Sequence, residues 1–162
     1  MNKQKFVRMH ICEANPMKYG EFCKQYPEAG RATRPMPEDE DGYVTYYPDG
    51  YVSWCPKKPW EEAGRPVDGM TFGMAIEMMK RGKKVARKGW NGKGMYLWLL
   101  PAAEIKKEWC RDERLIEVMA NFGENVVQCL GSIRMLTADK KVLTGWLASQ
   151  TDMLTEDWEV VE

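Results

Sequence analysis

The sequence contains only one histidine, His10, and no two cysteines close enough together to form a metal-binding or redox motif. A Ser-His-Asp triad needs a histidine base, and a zinc site needs several histidine or cysteine ligands. The five cysteines are scattered along the chain, which is typical of free thiols in a reducing compartment. The sequence therefore predicts no catalytic residues, no metal and no cofactor.

Long apolar runs and an excess of either charge are also missing. No apolar stretch approaches the roughly 20 residues that a membrane-spanning helix needs, and the start lacks the apolar middle of a secretion signal. Lysine plus arginine and aspartate plus glutamate number 24 each, so no general attraction to nucleic acid or anionic membrane exists. We expect a protein of the cytoplasm that binds neither membrane, DNA nor RNA, and that holds any anionic ligand by a local cluster of donors.

Two acidic runs remain as candidates for a divalent cation. They are Asp39–Asp41 and the pair Glu156 and Asp157. Acidic runs are usually solvated faces of the protein, so we predict surface positions for both rather than a metal site.

The first half of the chain is rich in turn-forming residues. Residues Arg31–Gly42 carry two prolines and an acidic run, which is typical of a loop. Apolar and aromatic residues then alternate on either side of Pro48-Asp49-Gly50, which predicts a β-hairpin; they are Val44, Tyr46, Val52 and Trp54. A proline-rich connector with one short helical turn follows. We predict an N-terminal hairpin module over residues 1–68 and a second domain over residues 69–162.

The second half is more regular. Asp68 or Thr71 can cap a helix that runs to Arg81 and stops at Gly82. Its predicted apolar face follows the helical repeat and comprises Phe72, Ala75, Ile76 and Met79. A strand before Gly89 and the strand Met95–Leu100 come next; the latter is apolar on both faces and must be covered twice.

The last third predicts further helices, a hairpin and a strand. One or two helices run from Glu104 to Gly123, with a buried stripe formed by Leu115, Val118, Met119 and Phe122. A second hairpin turns near Ala138-Asp139-Lys140, Thr151 or Asp152 can cap a single helical turn, and the chain closes with a short strand in "DWEVV". The predicted class is α+β, a small antiparallel sheet with one or two packed helices plus the N-terminal hairpin.

One stretch, "RKGWNGKG", carries the residues of a ligand site. Trp90 offers a flat face on which a base can stack, and Arg87 and Lys88 offer charge for a phosphate. Asn91 adds an amide, and the glycines allow backbone amides to approach an anion. The alternative is a tight turn whose tryptophan folds back on the core.

A second stretch, "SQTD", is polar throughout. Ser149, Gln150, Thr151 and Asp152 offer donors and acceptors for base edges or ribose hydroxyls. The alternative is a helix cap. Neither stretch decides the function by itself.

Taken in order, the opening helix, "RKGWNGKGM" and "SQTDMLTEDW" resemble a phage domain family associated with the second type of Thoeris anti-defence protein. The resemblance runs from about Met70 to Val161, with a more variable middle. The hairpin turn has Asp139-Lys140 where the family often has Asp-Gly, a difference that we expect to alter the turn only.

The resemblance implies a sponge rather than an enzyme. Members bind cyclic ADP-ribose isomers, the messengers of bacterial Thoeris defence, without degrading them, and form homotetramers with pockets at subunit interfaces. Carried over to this chain, Trp90 stacks on a ligand base, with Arg87, Lys88 and Asn91 beside it. The other implied pocket residues are Ser149, Gln150, Thr151 and Asp152, with Tyr96 and Trp146 as apolar walls. The implied location is the cytoplasm of the infected host.

Three alternatives stay open. The chain could capture cyclic oligonucleotides, as some relatives do at a separate site. It could inhibit a host defence effector by binding it, as an anti-CRISPR does, through the strand Met95–Leu100 and the hairpin Tyr43–Trp54. It could also hydrolyse a signalling nucleotide, although no acid/base pair is evident.

Overall fold

The fold was obtained as a computed structural model that describes residues 11–29 and 36–161. The chain forms two compact units, Met1–Arg65 and Pro66–Glu162. Within the described ranges there are ten strands and five α-helices, and all strand pairs are antiparallel. The predicted α+β class is therefore confirmed. His10 and the first part of the predicted loop, residues 31–35, lie outside the described residues.

The first unit is a three-stranded sheet with two short helices. Its elements are β1 (Glu13–Pro16), α1 (Tyr19–Gln25), β2 (Gly42–Tyr46), β3 (Val52–Pro56) and α2 (Lys57–Ala63). The strands lie in the order β1-β2-β3. The sequence predicted no helix for residues 19–25, because seven residues that include a glycine carry too weak a periodicity. It also predicted a single turn where α2 has seven residues.

The predicted first hairpin is confirmed. Strand β2 pairs with β3 so that Val44 lies opposite Trp54. The turn residue Gly50 has φ +83°, a left-handed conformation that favours glycine. The Asp49 carboxylate accepts a hydrogen bond of 3.0 Å from the Tyr51 N–H, which fixes the turn.

Both faces of this small sheet are covered. Val44 on one face and Thr45 on the other are each at most 1% exposed. Tyr19 of α1 packs on Trp54, with ring centroids 5.0 Å apart. Trp60 of α2 stacks on Tyr43 at 5.5 Å, on the opposite face. The first unit thus has its own core.

The second unit holds the larger sheet. Its helices are α3 (Phe72–Lys80), α4 (Glu113–Phe122) and α5 (Gln150–Leu154). Its strands are β4 (Lys84–Arg87), β5 (Tyr96–Leu100), β6 (Ala103–Lys106), β7 (Val126–Cys129), β8 (Ser132–Leu136), β9 (Val142–Thr144) and β10 (Trp158–Val161). Five of these strands form one sheet in the order β10-β4-β5-β8-β9, and β6 pairs with β7 alone.

Helix α3 covers one face of the five-stranded sheet, as predicted. Thr71 caps it by accepting a hydrogen bond from the Met74 N–H, and Gly82 ends it with φ +79°. The core beneath the helix consists of Met70, Ala75, Met78, Met79, Val85, Leu97, Met135 and Trp158. The predicted strand before Gly89, the β8–β9 hairpin and the closing strand β10 are likewise confirmed.

The segment between β5 and β8 was predicted wrongly in two respects. Residues 103–106 form a strand, although "EIKK" favours a helix, because pairing with β7 overrides the local preference. The predicted buried stripe of α4 is also not formed, since Met119 is 1% exposed but Phe122 is 78% exposed. The two-stranded sheet beside α4 is too small to cover the whole stripe.

None of the helices in the described ranges has both the length and the apolar character that crossing a membrane would require.

Candidate functional site

The two polar motifs meet because the first and last strands of the second unit pair. Strand β10 is antiparallel to β4, and the register places Trp158 opposite Arg87. Arg87 is the last residue of β4 and leads into the turn around Trp90, which we call the tryptophan turn (residues 88–95). The segment 149–157 leads into β10. Residues more than sixty positions apart in sequence are therefore brought side by side.

Arg87 joins the motifs through two carboxylates. Its Nη1 donates to Asp152 Oδ1 at 2.8 Å, and its Nε and Nη2 donate to the two oxygens of Asp157 at 2.9 and 3.2 Å. The arginine side chain is only 10% exposed. The hydrogen bonds that Arg87 donates to Asp157 raise its pKa above the usual value. Burial acts in the opposite direction, and the hydrogen bond to Asp152 raises the pKa further. The guanidinium is thus committed to internal partners.

Asp152 is the node of this network. The side chain of Ser149 caps α5, and Ser149 and Asp152 form a capping box. Ser149 donates to Asp152 Oδ2 from its backbone N–H and from its Oγ, at 3.0 and 2.6 Å. The other carboxylate oxygen accepts the Trp90 Nε1–H at 3.1 Å. The cap is therefore Ser149 rather than Thr151 or Asp152, and the acid serves to tie the helix to the tryptophan turn.

These contacts keep Asp152 ionised. Burial alone would raise its pKa, but the hydrogen bonds from Ser149, Arg87 and Trp90 outweigh burial and lower the pKa to about 2. A carboxylate with so low a pKa is a poor general base at neutral pH. The chemical role that fits Asp152 is to hold Arg87 and Trp90 in position.

Asp157 is a member of the site that sequence reasoning missed, because it was interpreted as part of a solvated acidic run. Besides binding Arg87, it accepts the Gly89 N–H at 3.0 Å and the Thr155 hydroxyl at 2.9 Å. The hydrogen bond from Arg87 is the main reason that the pKa of Asp157 is lowered. A Cβ at Gly89 would lie 2.6 Å from Asp157 Oδ2, so any other residue would displace this carboxylate from its partners.

Trp90 lies at the rim of an aromatic cluster. Its ring contacts Trp146 and Trp158 edge-on, at centroid distances of 6.1 and 5.5 Å, and Phe72 contacts both of these rings. The indole is half-buried against the core, while Trp158 is fully buried. The tryptophan thus folds back on the core and still reaches the surface. Both interpretations of the two motifs, structural support and ligand contact, remain compatible with this geometry.

The comparisons with known proteins cover this same region. A family model described as "Thoeris anti-defense 2-like domain" matches residues 70–161. A curated relative, "Thoeris anti-defense 2" from Bacillus phage SP01, is 38% identical over 94 residues, which are 57% of this chain and 94% of the relative.

The chain belongs to the Thoeris anti-defense 2-like family. The resemblance drawn from the sequence is thereby confirmed, and the role that goes with this family is phage anti-defence. The match begins at Met70, two residues before α3, and ends with β10. The Arg87, Asp152 and Asp157 network therefore lies wholly within the Thoeris anti-defense 2-like domain.

Other predicted site residues of this Thoeris anti-defense 2-like domain lie around the network in different ways. Lys88 forms an exposed ion pair of 3.1 Å with Asp68, which lowers the pKa of that aspartate. Asn91, Gln150 and Thr151 are exposed near the tryptophan turn and α5. Trp146 belongs to the aromatic cluster.

Tyr96 is placed elsewhere. It neighbours Leu97, which points into the core beneath α3, so Tyr96 points to the opposite face of the sheet. There its ring lies near Trp98 and under the Lys84 ammonium. Within one chain the structure therefore does not bring Tyr96 to the aromatic cluster.

Among the described residues, no three histidine, cysteine, aspartate or glutamate side chains are grouped as metal ligands. Asp157 of one predicted acidic run is instead the partner of Arg87. The other run, Asp39–Asp41, lines a groove of about 820 Å³ in the first unit, together with residues of α2. The groove carries lysines as well as acids, so nothing in it singles out a cation.

The network predicts a specific dependence of stability on pH. Because the pKa of Asp152 falls from 3.8 to about 2 on folding, its ionised form stabilises the fold above pH 4, and this contribution is lost as the pH falls through 2. We expect it to be worth roughly 2 kcal/mol. Urea unfolding of the wild type and Asp152→Asn should show a stability difference that shrinks between pH 4 and pH 2. A difference that stays constant with pH would contradict the assignment.

Proposed function

We propose that this chain binds a cyclic ADP-ribose-type signalling nucleotide of the bacterial Thoeris defence and holds it unchanged in the host cytoplasm. The observation that carries the proposal is the fixed and still accessible indole of Trp90, held by Asp152 beside exposed amide and hydroxyl groups. Captured messenger cannot reach its effector, which is the anti-defence outcome.

Rigid placement of Trp90 supports stacking of a nucleobase. A base stacked on an aromatic ring contributes about 1–3 kcal/mol, and a ring that is already held by a hydrogen bond loses little freedom when the ligand binds. Asn91 lies in the tryptophan turn itself, and Gln150 and Thr151 are the first two residues of α5. Their amides and hydroxyl can donate to and accept from base edges and ribose hydroxyls.

One stacked ring does not make an effective sponge. If protein and messenger are both micromolar, sequestration needs a Kd near ~1 nM, or about −12 kcal/mol. Affinity of that order comes from a closed pocket with desolvated hydrogen bonds. Because the tryptophan turn lies at the surface of a single copy, we propose that a second copy completes the pocket.

Exposed apolar residues beside the capping box support this assembly. Leu147 precedes α5 and Leu154 is its last residue, and they are 89% and 78% exposed. Exposed leucines at such density next to a polar site are typical of an interface between subunits. We propose a homo-oligomer, and a tetramer is the number that the family resemblance implies.

Capture without turnover fits the chemistry of the site. The nearest carboxylate to the indole, Asp152, has a pKa of about 2 and is bound to Arg87. A hydrolase acting near neutral pH would need a group that can accept a proton there. We therefore propose that the protein is not an enzyme.

The protein-binding alternative finds less support in the fold. Its two suggested contact segments were the strand Met95–Leu100 and the hairpin Tyr43–Trp54. Strand β5 lies between β4 and β8, so this central strand has no free edge to offer a partner. Strand β3 of the hairpin does lie at the edge of its sheet, but the hairpin lies outside residues 70–161, the region that the family model matches. Capture of cyclic oligonucleotides remains a second ligand class to test beside cyclic ADP-ribose isomers.

Isothermal titration calorimetry tests the proposal. Cyclic ADP-ribose isomers, a cyclic dinucleotide and a cyclic trinucleotide are titrated into the full chain, and its mass is measured by light scattering. We expect saturable binding of a cyclic ADP-ribose isomer to an oligomer. Flat titrations for all of these ligands would overturn the proposed function. Binding of a cyclic oligonucleotide alone would show that the ligand class is cyclic oligonucleotides and not cyclic ADP-ribose isomers.

A further inference from the structure

A second turn packs against the tryptophan turn and brings a lysine to it. This second turn, residues 137–141, joins β8 to β9. It is closed by backbone hydrogen bonds of 2.9 Å from the Thr137 N–H to the Lys141 carbonyl and 3.0 Å from the Lys140 N–H to the Thr137 carbonyl. The position of Lys140 is therefore fixed by the backbone.

The two turns touch at the glycines of the tryptophan turn. A Cβ at Gly92 would lie 2.9 Å from the Ala138 Cβ, and a Cβ at Gly94 would lie 3.2 Å from the Lys140 Nζ. The ammonium of Lys140 thus lies beside Gly94, in the turn that carries Trp90. Its neighbour Lys93 is exposed in the same turn.

Lys140 differs from the other cations nearby in its ion pairing. Arg87 is bound to two aspartates, Lys88 to Asp68 and Lys141 to Asp139. Among the described residues, no carboxylate pairs with Lys140 or Lys93. The positive charge that remains available at this site therefore comes from these two lysines and not from Arg87.

Lys140 also adopts a backbone conformation that its side chain does not favour. Its φ is +64°, and among the described residues Lys140 is the one residue other than glycine whose φ is positive. A residue with a Cβ is strained in the left-handed conformation, whereas glycine adopts this conformation without strain. The turn geometry therefore gives no reason for a lysine at position 140.

We infer that Lys140 is a ligand-binding residue whose ammonium contacts the phosphate groups of the nucleotide stacked on Trp90. This inference rests on the proposed function and names the residue that binds the negative charge of the ligand. Lys93 is exposed in the tryptophan turn and adds a second ammonium. Arg87, which the sequence offered with Lys88 as charge for a phosphate, is bound to Asp152 and Asp157.

The test compares Lys140→Gly with Lys141→Gln. The control lysine is the adjacent residue, and its charge is already paired with Asp139 at 2.8 Å. Both variants are titrated with cyclic ADP-ribose isomers at about 50 mM and about 200 mM KCl, where screening differs. Their thermal unfolding midpoints are measured in parallel.

For Lys140→Gly we expect an affinity lower by about tenfold, which is the size of one charge-assisted hydrogen bond. Its salt dependence should be weaker than that of the wild type, and its midpoint should be equal or higher because the left-handed strain is removed. Lys141→Gln should bind like the wild type. Wild-type affinity and salt dependence in Lys140→Gly would overturn the inference and leave the proposed function standing, whereas absence of binding by the wild type would overturn both.

Discussion

Replacing Asp152 with alanine is expected to lower the free energy of unfolding of the second unit by about 3 kcal/mol. The substitution leaves Trp90 Nε1, Ser149 N and one nitrogen of Arg87 without their acceptor. A buried charge that loses its partner is strongly destabilising. Arg87 keeps its hydrogen bond to Asp157. The expected loss of unfolding free energy is therefore near the lower end of the range for broken buried ion pairs.

The matched control for this substitution is Asp139→Ala. Asp139 also pairs with a cation and accepts from a hydroxyl, but its side chain is 60% exposed. Exposed pairs contribute about 0–1 kcal/mol. Urea unfolding of both variants at neutral pH, followed by tryptophan fluorescence, gives the comparison. An equal, small loss for the two variants would show that the Arg87 network does not hold the site together.

Replacing Trp90 with alanine is expected to weaken nucleotide binding at least tenfold. The substitution removes the stacking surface, worth about 1–3 kcal/mol for one base. It also removes the contacts with Trp146 and Trp158, so some stability is lost as well. Titrations are therefore run well below the unfolding midpoint of the variant, with circular dichroism to show that the fold is kept.

A phenylalanine at position 90 separates the two contributions of the indole. Trp90→Phe keeps an aromatic face but loses the hydrogen bond to Asp152. We expect an affinity between those of the alanine variant and the wild type. Wild-type affinity in the alanine variant would mean that Trp90 serves the core alone.

The elements that the sequence predicted well are those with strong local signals. Thr71 and Gly82 mark the two ends of α3, and both act there as the sequence indicates. Pro48-Asp49-Gly50 specifies the first hairpin through a turn that needs no distant partner. Local chemistry of this kind is readable from one sequence because the interactions span few residues.

The parts that could not be predicted depend on partners far along the chain. Asp157 is separated from Arg87 by seventy positions, and only the pairing of β4 with β10 reveals their contact. Helix α4 shows the opposite case: the sequence does carry an apolar stripe there, but Phe122 of that stripe is 78% exposed to solvent. Most residues of the candidate site were thus listed from the sequence, while the contacts that join Arg87 to Asp152 and Asp157 required the fold.

The central claim is that this protein captures a Thoeris messenger and releases it intact. The most direct measurement exposes the full chain to extract from cells with activated Thoeris defence, reisolates the protein, heats it and identifies the released molecules by mass spectrometry. We predict one cyclic ADP-ribose isomer, in about one equivalent per site and unchanged in mass after long incubation. Release of no nucleotide, or of a hydrolysed product, would contradict it.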